Sequence, residues 1–90
     1  MLNTNIYSPT AVVINTSGGD QTFARNQTLL GLDVFTTGDV SIETLDGTTI
    51  TKTFPTAANG GCYPCRWLIQ IRKIFDTATT VTDANLVGLR

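Results

Sequence analysis

The sequence predicts an all-β fold, a small antiparallel β-sandwich or barrel of about six short strands preceded by an N-terminal arm. Three observations carry this expectation. The apolar runs are short and rich in β-branched and aromatic residues. Clusters of Gly, Asn, Asp and Thr separate them. Helical periodicity is nowhere sustained over the roughly 10 to 12 residues that a helix assignment needs.

Taken in order, the strand candidates are Ala11 to Ile14, Thr28 to Phe35, Asp39 to Thr44, Thr48 to Phe54, Trp67 to Phe75 and Asn85 to Leu89. Residues 11–90 form one β domain, because a chain of 90 residues holds a single core. Met1 to Thr10 is polar apart from Leu2, Ile6 and Tyr7, shows no period and meets Pro9 before the first apolar run. It reads as an arm with Ile6 and Tyr7 as anchors on a neighbouring chain. The longest candidate alternates, with Trp67, Ile69, Ile71 and Lys73 on one side and Leu68, Gln70, Arg72 and Ile74 on the other.

Asp39 to Phe54 gives the strongest local signal, since Asp46-Gly47 sits between two alternating runs and marks a hairpin. Two registers compete. A two-residue loop sets Glu43 against Ile50 and mixes polar with apolar residues on each face. A loop of Leu45, Asp46 and Gly47 instead pairs Ile42 with Ile50 and Val40 with Lys52, and places Gly47 at the left-handed position of a bulged hairpin. The second register is expected. It gathers Ser41, Glu43, Thr49 and Thr51 on an outer face, to be solvated or docked against a partner.

Composition narrows the function. Six Lys and Arg against seven Asp and Glu give a net charge of −1 with no basic run, so a nucleic-acid partner is not expected. No stretch reaches the ~20 apolar residues of a membrane-spanning helix, and the N-terminus lacks the cationic start and apolar run of a signal peptide; no membrane partner is expected. Charged residues are 14% of the chain, well below the usual share. Abundant hydroxyls with few ions suit a surface that becomes buried against another protein, because hydroxyls cost far less than ions to dehydrate.

Catalysis is not expected. The chain has no His, which removes the usual general base, the common nucleophile triads and the commonest metal ligand. Asp20, Asp33, Asp39, Glu43, Asp46, Asp76 and Asp83 show no spacing typical of a carboxylate dyad or calcium loop. Asp46 has a turn role, while Asp76 and Asp83 lie in a Thr-rich connector where short polar side chains bond their own backbone. Cys62-Tyr63-Pro64-Cys65 is the one motif with chemical potential. A thioredoxin-type site needs a following helix, whereas a strand is expected here. Zinc needs four ligands, and Cys62 with Cys65 supplies half of them unless copies meet. The remaining reading is of loop cysteines, bridged in an oxidising compartment. No cofactor is expected.

Five segments resemble a known family: Gly38-Asp39-Val40-Ser41-Ile42, then Asp46-Gly47-Thr48-Thr49-Ile50, then Ile69-Gln70-Ile71-Arg72-Lys73-Ile74 and Thr77-Ala78-Thr79-Thr80, ending in Leu86-Val87-Gly88-Leu89. Their order resembles that of the small spike base proteins of phage-like particles and gene transfer agents. Trp67-Leu68 stands where that family often has Leu-Pro, and the Gly60 to Cys65 loop is longer. The resemblance implies a non-enzymatic virion protein at the capsid surface, a homo-oligomeric ring of five copies. Such a ring sits on the major capsid protein and carries a spike or fibre.

Leu2, Ile6 and Tyr7 of the arm, with Ser41, Glu43, Thr49 and Thr51 of the hairpin face, are the interface candidates. A capsid decoration or cement protein forming trimers is the alternative within the same class. A small glycan- or receptor-binding β module is the alternative outside it, resting on the Thr, Asn and Tyr content.

Overall fold

The computed structural model describes residues 10–55 and 63–90. Its strands are β1 (Ala11–Val13), β2 (Gln21–Thr22), β3 (Gly31–Val34), β4 (Gly38–Thr44), β5 (Thr49–Phe54), β6 (Cys65–Trp67), β7 (Ile71–Ile74) and β8 (Leu86–Leu89). Short 3-10 turns occupy Arg25–Gln27 and Asp83–Asn85. Every strand pairing is antiparallel, in two four-stranded sheets of order β1-β8-β3-β6 and β2-β7-β4-β5. The all-β sandwich expected from the sequence is what forms.

The β4–β5 hairpin has the anticipated register. Ile42 pairs with Ile50, Val40 with Lys52, Ser41 with Thr51 and Glu43 with Thr49. Thr44 and Thr48 close the loop, the Thr44 N–H donating to the Thr48 carbonyl at 2.8 Å. Gly47 has φ +91°, the left-handed conformation that only a residue without Cβ adopts at little cost.

Strand count and the course of residues 67–75 differ from expectation. That run is not one strand, because β6 belongs to the first sheet and β7 to the second, with Leu68 to Gln70 as the corner between them. Its partner turns the same corner: Leu29 bridges Ile71 in one sheet, and Leu32 pairs with Trp67 in the other. The predicted alternation also fails within β7. Glu43 faces Lys73 but Thr44 faces Ile71, so Arg72 is the extra residue of a β-bulge. The bulge lets Ile71 and Ile74 both turn inward, where both are fully buried. β2 is too short to show a period in the sequence and adds to the strands predicted from it.

The core lies between the sheets. Ile14, Leu32, Val34, Cys65 and Leu86 face Val40, Ile42, Phe54, Ile71 and Ile74, and Phe54 meets Trp67 edge to face with centroids 6.0 Å apart. Gly88 is part of this packing, since a Cβ there would stand 3.0 Å from both Leu29 methyls and 3.2 Å from Ile14 Cδ1.

Candidate functional site

The hairpin's outer face is partly covered. Ser41 is 2% exposed, which corrects its reading as an open contact residue. The cause is a segment distant in sequence: Thr79 to Val81 runs beside the first half of β4, where a continued β7 would have lain. Thr79 Oγ1 accepts the Ser41 N–H at 3.0 Å and Thr80 Oγ1 accepts the Asp39 N–H at 2.8 Å. The Thr80 N–H donates to the Asp39 carbonyl at 2.8 Å. Threonine hydroxyls thus take the place of strand carbonyls along an edge that would otherwise be unpaired. Gly38 permits the approach, because a Cβ there would fall 2.8 Å from Val81 Cγ2.

Glu43 is half-buried and pairs with Arg72 Nε at 3.1 Å. Thr49 and Thr51 remain exposed, with Thr51 Oγ1 donating to Ser41 Oγ at 3.0 Å. Thr53 Oγ1 donates to Asp39 Oδ1 at 2.7 Å. Asp46 performs the turn role assigned to it: it accepts from the Thr44 hydroxyl and, at 3.2 Å, from the Thr48 N–H. Those bonds, led by the one from Thr44, hold its carboxyl below the usual 3.8. Leu2, Ile6, Tyr7 and Cys62 lie outside the described residues.

Cys65 is not in a loop. It opens β6, opposite Val34, and is buried in the core, because the strand begins two residues before Trp67. The Tyr63 hydroxyl donates to the Pro55 carbonyl just before it. Asp83 does not bond its own backbone either; its carboxylate accepts the Thr16 N–H and Thr16 hydroxyl, both at 2.7 Å. Among the described residues no group of three His, Cys, Asp or Glu side chains comes together as a metal site.

Apolar side chains stand exposed in runs that read as core in the sequence. Val13 is 82% and Leu68 67% exposed. Both belong to the outer side of the β1-β8-β3-β6 sheet. Register places Val13 beside Val87 and Ala11 beside Leu89 on that side, and Leu68 reaches over Gly31 toward Leu89. The only charges described in these rows are Asp33 and Arg66, directly opposite one another and joined by Nε–Oδ1 at 2.8 Å. A second apolar area, a groove of about 430 Å³, lies at the hairpin tip between Leu45, Ile50 and Ile69. The strand pattern alone could not reveal the first surface, because an apolar residue on a short strand reads as core until its parity is known.

The chain matches no family model, no curated protein and no solved structure.

Proposed function

We propose that this chain is a non-enzymatic structural protein of a phage or phage-like particle, an oligomeric adaptor on the capsid surface that seats a spike or fibre. The observation that carries the reading is the outer side of the β1-β8-β3-β6 sheet, where Val13, Val87, Ala11 and Leu68 form an apolar surface bordered by Asp83 and by the mutually neutralising pair Asp33 and Arg66. A contiguous apolar surface rimmed by polar residues is characteristic of a protein contact. Low charge over the whole chain supports the same reading, as does the order of segments shared with spike base proteins.

In this reading the ring of five copies is formed around the capsid vertex and contacts the major capsid protein, with the Met1 to Thr10 arm reaching a neighbour. The test is incorporation. Purified protein is mixed with particles lacking it, and bound chain is measured after sedimentation. Leu68→Asp and removal of residues 1–10 are expected to reduce binding; undiminished binding by both would overturn the reading. Mass measurement of the bound assembly separates a ring of five from the trimer of a decoration protein.

A further inference from the structure

We propose that in the free protein two copies pair antiparallel through β1, edge to edge about a two-fold axis. This goes beyond the proposed function and does not depend on it. Thr10 and Arg90 exchange backbone bonds of 2.8 and 3.0 Å, which fixes the parity of the β1–β8 ladder. Val12 therefore turns its backbone toward β8, and Ala11 and Val13 turn theirs outward. β1 ends its sheet. Gln21 covers the end of this edge: its Oε1 accepts the Asn15 N–H at 2.7 Å, while its Nε2 lies 3.4 Å from the Val13 carbonyl, and only the second, long contact has to be exchanged on pairing.

Among the described residues the Ala11 N–H and C=O and the Val13 N–H on this edge have no partner, and an extended strand satisfies all three at once. Charge identifies that strand as a second β1. No charged side chain occurs before Asp20, so two such edges meet without like-charge repulsion. The other edges are defended. β5 carries Lys52 on the same side of its sheet as buried Val40, β6 carries Arg66 on its outer side, and β2 is two residues long; an inward charge, a charged side chain on the edge and a very short strand are all common means of discouraging edge pairing.

The register follows from size and parity. Centring the axis on Val12 places Ala11 of each copy opposite Val13 of the other, a small residue against a large one, with each such pair exchanging backbone bonds. The outer row then runs unbroken from Val87 through Val13 to Ala11 and Leu89 of the second copy. A two-fold contact counts chains in pairs, which a ring of five does not contain. The pairing therefore belongs to the protein before incorporation.

Ala11→Pro removes an outward N–H while sparing the bonds to β8, because proline is tolerated on the open side of an edge strand. Val13→Lys places a charge on an exposed side chain. Sedimentation equilibrium of the full chain is expected to give twice the 9.7 kDa chain mass, and each variant to weaken association about tenfold or more. In a mixed-label sample, NOEs between Val12 methyls of the two copies report the register. A wild-type monomer at every concentration, or a dimer that Val13→Lys leaves unchanged, would overturn the proposal. Circular dichroism checks folding, and if Ala11→Pro unfolds, Val13→Lys decides alone. A monomer that still joins particles removes the edge pairing and leaves the proposed function standing.

Discussion

Arg66 grips Asp33 across the β3–β6 ladder with two parallel bonds, Nε to Oδ1 at 2.8 Å and Nη2 to Oδ2 at 3.0 Å. The planar fork matches the carboxylate, which gives the pair direction as well as attraction. Asp33 is 8% exposed, so removing its partner leaves a poorly hydrated carboxylate. The Arg66 side chain is half exposed, and water screens part of the loss. Arg66→Ala is expected to destabilise by about 1 kcal/mol, between the values of exposed and fully buried pairs. Urea unfolding at neutral pH measures it, and a change near zero would make the pair an ornament of the surface.

The hairpin turn carries a pH signature. Asp46 is held below its ordinary 3.8 first by the Thr44 hydroxyl and then by Thr48. A depressed folded value contributes stability that is complete above the unfolded value and lost as pH falls through the folded one. The carboxyl resonance of Asp46 should therefore titrate below 3.8, and Thr44→Val should move its midpoint upward. Titration of the wild type at or above that value would contradict the turn geometry.

Thr79 and Thr80 perform similar bonding at sites of different burial, which separates their effects. Thr79→Val keeps the side-chain shape but leaves the N–H of buried Ser41 without its acceptor. An orphaned buried donor costs about 1 to 3 kcal/mol. Thr80→Val deprives Asp39, whose N–H lies nearer solvent, and water replaces the lost hydroxyl; less than about 1 kcal/mol is expected. Thermal unfolding of both variants checks the order, and equal losses would remove burial as the cause.

The same loop explains why the hairpin was readable and its surroundings were not. Asp46-Gly47 and the alternation around it are local, so register followed from side-chain parity and one left-handed glycine. Cover for Ser41 comes from Thr79, a residue far along the chain; no pattern near Ser41 announces it. Residues 67–75 misled for a related reason. Their alternation is genuine in sequence, but a sheet-to-sheet corner at Leu68 to Gln70 and the bulge at Arg72 reset the parity twice. The exposure of Val13 and Leu68 is not legible in the sequence, because their neighbours Val12, Ile14, Trp67 and Ile69 belong to the core or pack against it.

Gly38 and Gly47 offer the sharpest comparison, because both have positive φ and only one is crowded. At Gly47, φ is +91° and nothing lies within 4 Å of an added Cβ, so Gly47→Ala meets backbone strain alone, about 1 kcal/mol. At Gly38, φ is +140°, and the new Cβ would also meet Val81 Cγ2 at 2.8 Å and Thr80 Oγ1 at 2.9 Å. Relieving that clash forces the Thr79 to Val81 segment away from β4 and breaks the Asp39 bonds it makes. Gly38→Ala is expected to cost about 2 to 4 kcal/mol, strain and overpacking together. Amide exchange should locate the damage: faster exchange at Asp39 and Ser41 in the Gly38 variant, and at Thr48 in the Gly47 variant. Equal destabilisation by the two substitutions would mean that the threonine segment is not held against β4 through Gly38.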